Sequence, residues 1–119
     1  MITTYEEACD IIGIEPMVDK EMIRSGFLIR EIALRKLIAI IYVLNEGWMP
    51  TWDELPSPKY YPIFIKDSFN TKDLLTFTGV IQSYSKIQNH PDLLFKNVDL
   101  AEYAGKTFLR LYEQLYLNK

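Results

Sequence analysis

The chain is poor in the residues from which small proteins build disulfides and metal sites. Its 119 residues include one cysteine, Cys9, and one histidine, His90. A single cysteine cannot close an internal disulfide, and a single histidine cannot supply a multi-histidine metal site. The 13 basic residues are outnumbered by 16 acidic ones. This balance argues against a protein that coats nucleic acid or an anionic membrane.

Long apolar stretches are missing as well. The longest unbroken one runs from Leu37 to Leu44, whereas a membrane-spanning helix needs about 20 residues. The chain does not open with a positively charged start followed by an apolar segment, which is the pattern of a signal peptide. We therefore expect a cytoplasmic protein without a membrane segment.

Motifs that carry catalysis are equally scarce. The sequence contains no glycine-rich phosphate loop, paired-cysteine metal spacing or nucleophile elbow. Cys9 falls on the apolar face of a predicted helix, where a buried thiol is the simpler interpretation, and His90 lies in a polar turn. We expect no enzyme, and no catalytic residue, metal or cofactor. An enzyme that uses Cys9 and His90 is the competing hypothesis.

Helical patterns occupy the first 45 residues. Thr4-x-x-Glu7 is a capping box that predicts a short helix over 5–12. A second turn is predicted over 19–24, capped by its first residue, and a main helix over 28–45. The apolar stripe of this main helix is wider than one buried face requires. The helix is therefore either covered on several sides within the chain or packed on another subunit.

Two strands are predicted in the middle of the chain. Segment 59–66 indicates a strand that lies at a sheet edge or is bulged at Pro62, because proline cannot donate to the hydrogen-bond ladder. Alternation over 75–83 predicts a second strand. Its apolar face is expected to comprise Leu75, Phe77 and Ile81. Segment 93–95 predicts a short third strand.

A last helix is predicted from a cap at Asp99. Its apolar stripe comprises Ala101, Ala104, Phe108, Leu111, Tyr112 and Leu115. Gly105 lies within this helix at a cost of about 1 kcal/mol relative to alanine, so we expect a neighbouring element to approach closely there. The order of elements predicts a single α+β domain over 1–119. It combines N-terminal helices, an antiparallel sheet of two or three strands and a C-terminal amphipathic helix.

Aromatic rings are concentrated between the main helix and the end of the first strand. The candidate ligand- or partner-binding residues there are Trp48, Trp52, Lys59, Tyr60, Tyr61, Phe64 and Lys66. Flat rings with a polar edge stack on bases, sugars or prolines, and they anchor protein interfaces. A tryptophan-rich loop that closes the core fits the same pattern. The two interpretations agree if one ring face stays exposed.

Four stretches, in chain order, form a pattern that extends beyond these candidates. They are Glu31-Ile32-Ala33-Leu34 with Leu37, Leu44-Asn45-Glu46-Gly47-Trp48-x-Pro50-x-Trp52, Lys59-Tyr60-Tyr61-Pro62-x-Phe64 and Leu100-Ala101-Glu102-Tyr103-Ala104-Gly105-Lys106-x-Phe108. In these stretches the chain resembles a family of small uncharacterised proteins of gut Bacteroidetes bacteria, their mobile elements and their phages. The segment between Lys66 and Phe95 departs from the family's pattern. The resemblance implies a phage or mobile-element origin and supplies no catalytic residues.

These features favour a non-catalytic binding module, an accessory protein of a phage or mobile element that holds a partner. One version is a counter-defence protein that sequesters a host nucleotide signal, with Lys59 or Lys66 meeting phosphate. The alternative is a structural or protein-interaction component, either a virion protein or a regulator of a host protein. The wide stripe of the main helix also predicts a homo-oligomer, most simply a dimer. Neither nucleic acid nor a membrane is an expected partner.

Overall fold

The first helix forms where the sequence carries a cap and a stop. The computed structural model describes residues 1–50, 58–66, 74–83 and 90–118. Helix α1 (Tyr5–Ile12) begins after Thr4, whose hydroxyl oxygen accepts a hydrogen bond from the Glu7 N–H at 3.1 Å. It ends at Gly13, which adopts a left-handed φ of 85°. The predicted cap at Thr4 is confirmed, although the Glu7 carboxylate accepts the N–H of Thr3 and not that of Thr4. Tyr5, Ala8 and Cys9 are buried as expected.

Two further helices precede the sheet, α2 (Asp19–Arg24) and α3 (Ile29–Leu44). The prediction that Asp19 caps α2 is wrong, because Asp19 is already helical and Val18 holds the extended cap position. The Asp19 carboxylate instead pairs with Lys36 of α3 at 2.8 Å. This ion pair ties the short helix to the long one.

Strands β1 (Lys59–Lys66) and β2 (Leu75–Ser83) form a two-stranded antiparallel sheet. The N–H and C=O of Tyr60 bond to Phe95, at 3.0 and 2.8 Å, and therefore point away from β2. Pro62 lies two residues later and shares this orientation, so its missing N–H falls at the sheet edge. The predicted edge position of Pro62 is confirmed.

Two details of the predicted sheet are wrong. The third strand over 93–95 is replaced by a 3-10 turn (Pro91–Leu93) and a single bridge between Tyr60 and Phe95. Proline at the start of the turn cannot donate to a ladder, which favours the turn over a strand. The predicted apolar face of β2 is wrong at Ile81, because the register of β1 and β2 shifts between Ile63 and Phe64. This bulge adds a residue to β2, so Val80 packs against the core while Ile81 is 40% exposed.

The C-terminal helix is divided into α4 (Val98–Thr107) and α5 (Leu109–Leu117) at Phe108. The predicted cap at Asp99 is wrong. Asn97 is the cap, because its extended backbone lets its side-chain oxygen accept the Leu100 N–H at 2.9 Å. The predicted stripe is confirmed in its four buried members, which are Ala101, Ala104, Phe108 and Tyr112.

Helix α3 lies at the centre of the fold. Helices α1 and α5 and the 3-10 turn pack around it, while α4 contacts both strands of the sheet. Its buried side chains are Ile32, Ala33, Leu37, Ile40, Ile41 and Leu44. Several elements of the chain itself therefore cover this helix, as the first of the two predicted arrangements requires. The fold is α+β, as predicted. In the described ranges, every helix is too short or too polar to serve as a transmembrane segment.

Gly105 is the contact point between α4 and the sheet. A methyl group at this position would lie 2.7 Å from a Phe77 ring carbon and 2.9 Å from the Cβ of Pro62. Both distances are well inside van der Waals contact, so only a residue without a side chain allows this approach. The predicted close contact at Gly105 is confirmed, and it explains why a helix-weakening residue occurs within α4.

Tyr112 of α5 places its hydroxyl group in the core. Its ring centroid lies 4.8 Å from that of Phe64 and 6.2 Å from that of Tyr116. In the described part of the chain, the buried Tyr112 hydroxyl finds no hydrogen-bond partner. Burial, followed by the nearby phenol of Tyr116, raises the pKa of Tyr112 far above its ordinary value near 10.

Substitution of Gly105 tests the contact between α4 and the sheet. In an exposed helix, glycine to alanine stabilises by about 1 kcal/mol. Here we expect Gly105→Ala to lower the free energy of unfolding by roughly 1–3 kcal/mol, because the added methyl overlaps Phe77 and Pro62. Urea denaturation measures the change. Replacing the Phe77 ring with the smaller leucine side chain, in Gly105→Ala/Phe77→Leu, should recover part of the lost stability. A more stable Gly105→Ala variant would contradict the close contact.

Because the hydroxyl of Tyr112 is buried, we expect the protein to lose stability at alkaline pH. The unfolded chain ionises this phenol near pH 10, whereas the folded chain keeps it neutral. The contribution of the neutral phenol to the free energy of unfolding is therefore intact below pH 10 and is lost as the pH rises further. We expect Tyr112→Phe to be as stable as the parent, or about 1 kcal/mol more stable, at neutral pH. Above pH 10, the free energy of unfolding of Tyr112→Phe should fall less steeply than that of the parent, by up to about 1.4 kcal/mol per pH unit. Urea titrations at several pH values measure both, and a parallel alkaline loss in the two proteins counts against this account.

Candidate binding pocket

A pocket of about 690 Å³ opens beside the C-terminal half of α3. Four parts of the chain enclose it: the end of α1 with the connection that follows, α3 itself, segment 48–50 and segment 91–94. Most of its lining is apolar, and it includes Ile14, Met17, Ile38, Ala39, Tyr42, Trp48, Met49 and Pro50. The volume lies within the range of about 300–1,000 Å³ that is usual for small-molecule sites.

One wall is set by the way α1 ends. Gly13 in the left-handed conformation lets the N–H of Ile14 return to the Cys9 carbonyl at 3.0 Å, which turns the chain toward α3. The Met17 N–H then donates to the Tyr5 hydroxyl at 3.2 Å. Burial and the neighbouring Cys9 raise the pKa of Tyr5, so its phenol remains the neutral acceptor of this bond.

The opposite wall is set by the way α3 ends. Glu46 and Gly47 both have positive φ values, 54° and 82°. Two such residues in succession reverse the chain, and the N–H of Trp48 donates to the Asn45 carbonyl at 3.0 Å. Trp48 is thereby held at the pocket beside Tyr42, with its side chain partly buried.

Asn45 joins this wall to segment 94–96. It is 3% exposed, and its side-chain amide donates to the Leu94 carbonyl at 2.9 Å. Its side-chain oxygen accepts the Lys96 N–H at 3.1 Å. Both halves of the buried amide are satisfied, so the position of Asn45 is fixed. The pocket therefore has a rigid inner end, where α3 meets the 3-10 turn.

Few charges face the pocket. Glu15 and Asp92 contribute carboxylates, and Arg35 contributes the guanidinium among the described lining residues. The Arg35 guanidinium carbon lies 5.0 Å from the centre of the Phe27 ring, a cation–π distance. Asp92 lies 3.7 Å from the imidazole of His90. The pocket is thus an apolar surface with a few charged groups, which suits a largely apolar occupant.

The structure separates the candidate residues predicted from the sequence. Trp48 lines the pocket, whereas the candidates on β1, 59–66, do not. Phe64 packs on Tyr112, and Tyr60 contacts the core. The remaining β1 candidates differ in exposure: Tyr61 is intermediate, Lys59 is 1% exposed and Lys66 is exposed. Trp52 lies outside the described residues.

Several lining residues were not among the predicted candidates. Tyr42, Met17, Ile38 and Arg35 come from α3 and from the connection after α1. One signal for them was present in the sequence, because the apolar stripe of α3 is wider than its covering elements need. The positions of Met17 and Asp92 depend on long-range packing, which short-range periodicity does not reveal.

Within the described ranges, no group of three or more histidine, cysteine or carboxylate side chains is placed to hold a metal ion. The chain matches no protein-family model, and no curated protein or solved structure is similar to it.

Proposed function

We propose that the protein is a non-catalytic binding module that holds a partner in the pocket beside α3. The observation that carries this proposal is the pocket itself, an apolar cavity of about 690 Å³ whose walls are fixed by hydrogen bonds at both helix ends. In the setting that the sequence resemblance implies, it is an accessory protein of a phage or mobile element that acts in the bacterial cytoplasm.

The lining favours a partner with a flat, mostly apolar body. Trp48 and Tyr42 offer rings for stacking, and Met17 and Met49 offer side chains that adapt to shape. A counter-defence protein that sequesters a nucleotide signal is one form of the proposal. In that form the base stacks on Trp48, and Arg35 meets phosphate.

A protein partner is the second candidate, and the rim of the pocket favours it. Ile14, Tyr42 and Met49 line the pocket, yet they are 49%, 47% and 50% exposed. Exposed apolar side chains around a cavity are typical of surfaces that receive an anchoring side chain from another protein. This form corresponds to a virion component or a regulator of a host protein.

Filling the pocket tests the proposal. We expect the apolar probe 1-anilinonaphthalene-8-sulfonate to bind the folded parent saturably, and Ala39→Phe to weaken binding by about tenfold or more because the new ring occupies the cavity. Ile29→Phe adds the same ring on α3 outside the lining and should bind like the parent. Probe fluorescence measures affinity, and circular dichroism confirms that both variants fold. Equal affinity for the parent and Ala39→Phe argues against this pocket.

The same system distinguishes the two partner classes. In Trp52→Phe the fluorescence of Trp48 reports on the pocket alone. Quenching by members of a panel of mononucleotides and cyclic dinucleotides supports the nucleotide form. A flat response across the panel, together with saturable probe binding, excludes it and leaves the protein partner.

A further inference from the structure

One edge of β2 has backbone groups that point away from β1 and pair with no other described residue. Because the N–H and C=O of Tyr60 are bonded to Phe95, the residue opposite Tyr60 in the sheet, Gln82, also points its backbone groups away from β1. Val80 lies two residues before Gln82 and has the same orientation. No residue in the described ranges pairs with Val80 or Gln82 on this side.

Among the described residues, Glu113 covers the beginning of this edge. The N–H of Leu75 donates to the carboxylate of Glu113 at 3.1 Å, and Glu113 is 6% exposed. Helix α5 therefore satisfies the first outward N–H of β2. Beyond the bulge, the outward backbone groups of Val80 and Gln82 do not receive this cover from Glu113.

The two strands differ in how they are protected against pairing. Strand β1 carries Pro62, has a lysine at each end and is bridged by Phe95. Strand β2 reads LTFTGVIQS, without a charged residue or a proline. Natural proteins usually place such residues on exposed edges because a free edge is a template for another strand. The uncharged second half of β2 is therefore ready to pair.

We propose that β2 pairs with β2 of a second copy in antiparallel orientation, which gives a continuous four-stranded sheet. A strand edge is complementary to itself in this arrangement, because each outward N–H meets a C=O across the two-fold axis. Ile81, which is 40% exposed, lies in the paired segment and gains apolar contact.

Charge favours this edge as the place where a second copy can approach. The chain carries a net charge of −3, which opposes association through most of its surface. The neutral β2 segment allows two copies to approach without like charges facing each other. A two-stranded sheet is also smaller than the four to six strands that are usual, and the pairing brings it to four.

Solution mass tests this pairing. Sedimentation over about 1–200 μM should give a species of twice the 14.0 kDa chain mass. Gln82→Pro removes an outward N–H and no β1–β2 bond, so we expect it to raise the dimer dissociation constant by about tenfold or more. Gln82→Lys places like charges on the two facing edges and should weaken the dimer in the same way. It replaces the proline variant in the test if that variant fails to fold. Ile65→Lys adds the same charge on exposed β1 and should remain dimeric.

Each result decides the proposal. Dimers of the parent and of Ile65→Lys, with a folded Gln82→Pro or Gln82→Lys variant that is monomeric, support pairing through β2. A parent chain that stays at 14.0 kDa throughout overturns it, as does a parent dimer that is equally stable in the folded Gln82 variants. The pocket lies on other elements, so its occupancy does not alter these outcomes.

Discussion

The fold depends on covering one helix that is apolar on most of its circumference. Helix α3 has buried side chains that point in several directions, and a single packed partner could not remove them from water. Helices α1 and α5 and the 3-10 turn therefore enclose it. The sheet joins this core through Leu75, which is buried in it, and through Phe64, which packs on Tyr112 of α5.

The same requirement locates the pocket. In the described part of the chain, the covering elements meet around α3 except beside Ile38, Ala39 and Tyr42, where the walls come from the ends of α1 and α3. Those walls are held by hydrogen bonds that involve Tyr5 and Asn45, both of them buried. This apolar cavity, partly exposed at its rim, is the observation on which the proposed binding function rests.

Local patterns predicted the helices well. The cap at Thr4, the stripe of the last helix and the close approach at Gly105 are confirmed, because each depends on neighbouring residues or on one contact. Errors occurred where longer-range geometry decides. Because of the bulge in β2, Val80 and not Ile81 packs against the core. The hydrogen bond that the Leu100 N–H donates to the Asn97 side chain places the cap of α4 at Asn97 and not at Asp99. Sequence patterns did not predict the pocket, because its lining comes from four separate segments.

The central claim is that the uncovered side of α3 receives the partner. Nitrogen–proton correlation spectra of the labelled protein, titrated with 1-anilinonaphthalene-8-sulfonate, test it residue by residue. We expect the largest shifts at the Trp48 indole, along the second half of α3 and in the connection after α1, with little change in α2 or β2. Shifts concentrated on the sheet, or spread evenly over the chain, would contradict the claim.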